Sequence, residues 1–153
     1  MLPELIFWHR FVIDFLAEVC VQWEHAASQF QSLGIRTCIV RTGIVLMPND
    51  GALAKLILPA KFGLGAALGS GKQYFPWIHI DDLCGIYLFC LTNFPIQGAY
   101  NAVAPESTTN AEFTKMLCKA LKKPFIMPNI PAIMLKIALG ELATTLLSGS
   151  RIS

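Results

Sequence analysis

Charge is the scarcest commodity in this chain. Only 14% of its 153 residues are Asp, Glu, Lys or Arg, where about 25% is usual. The 12 basic and 10 acidic residues are scattered and leave a net charge of +2. No basic block or stripe is available for a phosphate backbone, so no nucleic-acid partner is expected. Long hydrophobic runs are also lacking. The longest stretch without a charge, Leu83 to Pro105, is interrupted by Thr92, Asn93, Pro95, Gln97 and Asn101. Nothing reaches the roughly 18 consecutive apolar residues of a membrane span. The opening MLPELIFWHRFVIDF contains Glu4, His9, Arg10 and Asp14 and lacks the basic start, clean apolar block and small-residue cleavage site of a signal peptide. The five cysteines, Cys20, Cys38, Cys84, Cys90 and Cys118, form no C-x-x-C pair. They are therefore expected as buried, reduced thiols in a cytoplasmic protein, with no metal site.

What the chain has in excess is apolar surface. Hydrophobic residues make up 54% before glycine is counted, against roughly 45–50% with glycine included in ordinary domains. Two explanations stand side by side: compositional bias, or an apolar interface that another chain or a second copy would cover. The length suits one domain with a real core and is too short for two of full size.

Periodicity sets the order of elements. Phe15, Leu16, Val19, Cys20, Trp23, Ala26, Ala27, Phe30 and Leu33 fall on one helical face between Asp14 and Leu33, and Gly34 stops the helix. IRTCIVRTGIVL, 35–46, is β-branched and reads as a buried strand and its continuation. Residues 51–71 predict a short helix disturbed by Pro59, then a glycine-rich loop. YFPWIHI predicts a strand, with Asp81 or Asp82 capping a helix from about Leu83 to Leu91. AYNAVA is another strand. Thr109 and Glu112 have capping-box spacing ahead of a helix whose apolar side is Phe113, Met116, Leu117, Ala120 and Leu121, and a last helix begins near Ala132. Alternation of this kind indicates an α/β layer structure, although three or four strands are few for a freestanding parallel sheet.

In this order, DFLAEVCVQWEHAA, RTGIVL, GALAKLILP, GSGKQYFPWIHIDDL, GAYNAVAPESTTNAEFTKML and GELATTLLSG resemble the C-terminal half of the NAD-dependent epimerase/dehydratase family. The similarity is greatest to the atypical, extended short-chain dehydrogenase/reductases with an added C-terminal domain of unknown function. The resemblance covers Asp14 to Arg151 and implies the C-terminal portion of a Rossmann-like doubly wound fold without the N-terminal nucleotide-binding βαβ units. It divides the chain into an unmatched segment, 1–13, and one substrate-side α/β domain, 14–153, shorter than the family at both ends.

The same resemblance places Thr42, Gly43 and Ile44 beside the nicotinamide end of the cofactor. The alternative is that Arg41 and Thr42 simply end a strand. Met47 stands where the family usually has glycine, which suggests a different turn there. Phe75 occupies the position of an arginine that clamps the diphosphate of nucleotide-diphosphate sugars in relatives. A phenyl ring cannot replace a charged bidentate fork, so such sugars are not the expected substrate. His79 lies between Ile78 and Ile80 and is expected to be structural and hydrogen-bonded rather than a general base. Gln73, with directed hydrogen bonds, and Trp77, with a flat apolar wall, are the substrate-side candidates, core packing being the alternative for Trp77.

The family's chemistry also needs a glycine-rich pyrophosphate turn and a Tyr-x-x-x-Lys whose lysine lowers the tyrosine pKa. Tyr74, Tyr87 and Tyr100 are followed four positions on by Ile78, Leu91 and Ala104. GLGAALG, 63–69, neither follows a clean strand nor opens a helix, and reads as a flexible lid. No catalytic residue is assigned. NADP(H) or NAD(H) is the cofactor expected of the intact family, not of this chain alone. The expectation is a substrate-side half that is inert without a complementary nucleotide-binding half. The alternative is a noncatalytic interaction module, self-associating through an apolar face, or the remnant of an interrupted gene.

Overall fold

The structure, a computed structural model, describes residues 15–139 and Leu147. In chain order its elements are α1 (Phe15–Ser32), β1 (Cys38–Thr42), β2 (Ile44–Met47), α2 (Gly51–Lys61), β3 (Trp77–His79), α3 (Ile80–Thr92), β4 (Gly98–Ala102), α4 (Asn110–Ala120) and α5 (Ala132–Leu139). The chain divides into two compact units. One takes the described residues up to Val40 together with Phe89–Tyr100; the other takes Arg41–Leu88 and the described residues from Asn101 onward.

In the first unit, α1 ends where the sequence said it would. Gly34, at φ +74°, allows the Ile35 N–H to donate to the Phe30 carbonyl at 3.1 Å and its own N–H to donate to that of Gln31 at 3.0 Å. This paired closure satisfies the last carbonyls and needs a residue tolerant of left-handed backbone. The helical period is as expected, but its apolar face is only thinly covered. Val19 and Ala27 are half-buried, whereas Cys20, Ala26 and Leu33 are exposed, Trp23 is 71% exposed and Phe30 52%.

Arg36 fastens the last turn of α3. Its Nη1 donates to the Cys90 and Ile96 carbonyls at 2.7 and 3.0 Å, its Nη2 to the Leu91 carbonyl at 3.3 Å, and its guanidinium lies 5.6 Å from the centroid of the Phe94 ring. A helix terminus leaves carbonyls without partners and carries partial negative charge, which a forked cation answers on both counts.

The second unit holds the core. β2 and β3 pair in parallel, with Ile44 opposite Trp77, Val45 opposite Ile78 and Leu46 opposite His79. Parallel pairing requires a crossover, which α2 and the segment after it supply. Asp50 starts α2 by accepting the Gly51 N–H at 2.6 Å, and Pro59 sits in the last turn without ending the helix early. Leu46, Phe75 and Phe113 form the buried centre, with Ile44, Leu53, Leu56, Trp77 and Leu117 packed against them. The capping box is as predicted: Thr109 Oγ1 accepts the Glu112 N–H at 3.3 Å, and Glu112 accepts the Thr109 N–H at 2.8 Å. The buried side of α4, however, is Asn110, Phe113, Thr114 and Cys118, with Met116 and Ala120 exposed.

One further expectation changes. Only Cys90 and Cys118 are buried; Cys38 is half-buried, and Cys20 and Cys84 are exposed on helices whose outer faces are uncovered. Met47 ends the extended strand β2, and Gly51, the first residue of α2, has φ +68°.

Candidate functional site

One β-branched run of sequence serves two sheets. β1 pairs with β4 and β2 with β3, and the switch falls at Gly43. The Gly43 N–H donates to the Ala102 carbonyl at 3.1 Å, and the Ile44 N–H donates to the Pro76 carbonyl at 2.8 Å. A Cβ on Gly43 would lie 2.8 Å from the Pro76 carbonyl oxygen and 2.9 Å from Val103 Cγ1. Glycine is therefore required by close approach of backbone rather than by a positive φ. Thr42, Gly43 and Ile44 do form one junction, with Thr42 exposed at the end of β1. Both backbone donors of Gly43 and Ile44 are spent inside the protein, so a cofactor contact through either N–H would have to break a bond already made.

Trp77 begins β3. Its carbonyl accepts the Ala104 N–H at 2.6 Å, its ring packs against the core, and its indole Nε1 is buried without a hydrogen-bond partner. A buried, unmet donor costs about 1–3 kcal/mol. The side chain thus contributes to packing while the residue stays half-buried. Gln73 is also engaged. Its Nε2 donates to the Leu68 carbonyl at 2.9 Å, its Oε1 accepts from Ser70 Oγ at 3.4 Å, and its own carbonyl accepts the Asn110 N–H at 2.9 Å. It ties a loop to the start of α4.

That loop is the glycine-rich segment, and it is fastened rather than free. The Leu68 N–H donates to Asn110 Oδ1 at 2.8 Å, the Gly69 N–H to the Ile130 carbonyl at 2.8 Å, and the Ile130 N–H to the Ala67 carbonyl at 2.8 Å. Ala67 is fully buried, and a Cβ on Gly65 would collide with Cys118 Sγ. A tethered, close-packed segment replaces the expected lid, because its backbone groups are satisfied by α4 and by residue 130. Asn110, 2% exposed, is the residue that sequence reading missed. Its neighbour Thr109 announces a helix start, but nothing local reveals that the next side chain reaches back 42 positions.

His79 caps α3. Its Nδ1 accepts the Asp81 N–H at 3.3 Å and lies 3.5 Å from Asp81 Oδ2. The helix therefore starts three residues before the expected point, with an imidazole in the capping role given to Asp81 or Asp82. The structural assignment of His79 holds. Both aspartates remain in the first turn, where negative charge suits the helix dipole. Phe75 is 6% exposed and stacks on Phe113 with ring centroids 4.4 Å apart. The position that would carry a diphosphate clamp instead faces the core. Among the described residues no group of three or more His, Cys, Asp or Glu could hold a metal ion, and no helix is long and apolar enough to cross a membrane.

Parallel strands with intervening helices make a mixed α/β structure that matches the C-terminal portion of a Rossmann-like epimerase of the short-chain dehydrogenase/reductase type. The chain is a homologue of the epimerase family proteins and matches their C-terminal half. It is 42% identical over 140 residues to mouse epimerase family protein SDR39U1, a match that takes in 91% of this chain and 47% of the mouse protein. The crystal structure of human epimerase family protein SDR39U1 (isoform 2) with NADPH superposes with a TM-score of 0.82 at 38% identity, covering 91% of this chain and 47% of that one. A nucleoside-diphosphate sugar epimerase from Corynebacterium glutamicum gives a TM-score of 0.62 at 34% identity, covering 89% of this chain and 31% of that one. No protein-family model matches the chain. The chain spans about half the length of the curated relatives it matches.

Proposed function

We propose that this chain is the substrate-side half of an NAD(P)-dependent epimerase- or oxidoreductase-like protein, without catalytic activity alone. The observation that carries this reading is that 91% of the chain superposes on 47% of an NADPH-containing structure. The half-fold is kept while the chain has no Tyr-x-x-x-Lys and no phosphate turn in a strand-to-helix context. In the assembled protein, Thr42, Gly43 and Ile44 line the nicotinamide end. With the N–H groups of Gly43 and Ile44 engaged, that contact falls to other atoms of the junction. Gln73 holds the substrate-side loop in place, and Trp77 forms the wall behind it. The buried position of Phe75 supports a substrate other than a nucleotide-diphosphate sugar.

A second reading is favoured by the uncovered apolar side chains of α1 and α3. Trp23, Phe30, Leu88 and Leu91 are all more than half exposed, as in a noncatalytic module that binds another protein or itself. Co-expression with the N-terminal half of human SDR39U1, followed by sedimentation analysis, separates the two. A one-to-one complex supports the split-enzyme reading. A self-associated chain that ignores the added half sinks it in favour of the module.

A further inference from the structure

A pair of thiols lies at the point where Arg36 secures α3. Cys38 Sγ donates to the Ile96 carbonyl at 3.2 Å, and Arg36 Nη1 is 3.5 Å from the same sulfur. That one nitrogen also donates to the Cys90 carbonyl at 2.7 Å. A single guanidinium nitrogen thus touches one cysteine's sulfur and the other's backbone, bringing two residues 52 positions apart into one cluster. All of these groups belong to one compact unit, so the juxtaposition does not depend on any motion between units. Cys38 is half-buried and Cys90 buried, so an oxidant meets Cys38 first.

We propose that Cys38 and Cys90 are a redox-sensitive pair that closes to an intramolecular disulfide and locks the last turn of α3 to β1. In the closing step, a peroxide oxidises the two thiols. The Cys38 sulfur attacks one peroxide oxygen, the O–O bond breaks, and a sulfenic acid and one water are left. The Cys90 sulfur then displaces the sulfenic oxygen, forming the S–S bond and releasing a second water. Two electrons pass from the thiols to hydrogen peroxide, and the two thiol protons end in the waters. Burial pushes the Cys90 thiol up, and the adjacent Cys38 adds to this while Arg36 opposes it. The raised thiol slows attack by Cys90 in either step, because the thiolate is the attacking form, and it is the greater exposure of Cys38 that makes Cys38 the first to react. Cys20 and Cys84 are exposed and so are open to links between molecules.

The test uses the full chain with Cys20→Ser and Cys84→Ser, two exposed positions. The folded protein is treated with hydrogen peroxide, remaining thiols are alkylated, and an unreduced tryptic digest is weighed. The expected product is a peptide holding Cys38 joined to the one holding Cys90, lost on reduction and absent when Cys38→Ala is added. The thermal midpoint of the oxidised protein should rise by about 5 °C or more, since the bridge closes a long loop. Recovery of both thiols in alkylated form would overturn the proposal. So would a link that forms only after the chain is unfolded in urea, because then the native geometry would not be what joins them.

Discussion

The sharpest structural demand in the candidate site is made by Gly43, and Gly43→Ala measures it. The added methyl would sit 2.8 Å from the Pro76 carbonyl oxygen, 3.1 Å from the Pro76 carbonyl carbon and 2.9 Å from Val103 Cγ1. Val103 can move its side chain, but Pro76 meets the methyl with backbone. That backbone carbonyl also accepts the Ile44 N–H at 2.8 Å, so retreat weakens the bond joining β2 to the start of β3. Overpacking costs about 1–3 kcal/mol, and a weakened hydrogen bond adds about 0.5–1.5 kcal/mol. Removing glycine from the unfolded chain returns about 0.4–1 kcal/mol. The net loss is about 0.5–4 kcal/mol, centred on about 2, or a drop of roughly 1 M in urea midpoint at unchanged slope. Gly85→Ala is the control. Gly85 is in α3 with nothing within 4 Å of its would-be Cβ, so this change should stabilise by about 0.5–1 kcal/mol. Equal stability of Gly43→Ala and the parent chain, with the control behaving as stated, would refute the idea that close backbone approach dictates glycine at the junction.

Three other outcomes are expected. Lys122 has φ 54° at the end of α4, where the Lys123 N–H donates to the Cys118 carbonyl and the Lys122 N–H to that of Lys119; Lys122→Gly should therefore raise stability by about 1 kcal/mol in denaturant melts. Glu112 is held below the usual glutamate range by the Thr109 N–H and then by the Thr109 hydroxyl. Its stabilisation is thus present above the unfolded value, near pH 4, and is lost as pH falls through the lower folded value; Glu112→Gln should remove that part of the acid dependence of the thermal midpoint. Phe75→Ala should cost about 3–5 kcal/mol through the cavity left against Phe113, and Phe75→Arg should unfold the chain rather than create a diphosphate clamp, as circular dichroism would show.

Local chemistry was legible in the sequence where it was self-contained. Gly34 ends α1 and the Thr109–Glu112 box starts α4 because each motif satisfies its own backbone groups within a few residues. The start near Ala132 followed from a simple apolar pattern. What escaped depends on partners far along the chain. IRTCIVRTGIVL reads as one strand and its continuation because nothing within it shows that residues 38–42 pair with β4 while 44–47 pair with β3. The loop at 63–69 reads as flexible because its restraints come from Asn110 and Ile130. Gln73 has the side chain of a binding residue, and only its neighbours reveal that Leu68 already holds it. The apolar excess, by contrast, has a visible counterpart in exposed large side chains along the chain, among them Trp23 and Phe30 on α1, Leu88 and Leu91 on α3, and Ile133 and Ile137 on α5.

The central claim is that this chain supplies one side of a nicotinamide-cofactor site and needs another half for the rest. NADPH titration, followed by cofactor fluorescence, tests it on three samples: the chain alone, the N-terminal half of human SDR39U1 alone, and the two together. The account predicts no binding by the chain alone and tighter binding by the mixture than by the added half. Binding by the chain alone, or a mixture that binds no better than the added half, would contradict it.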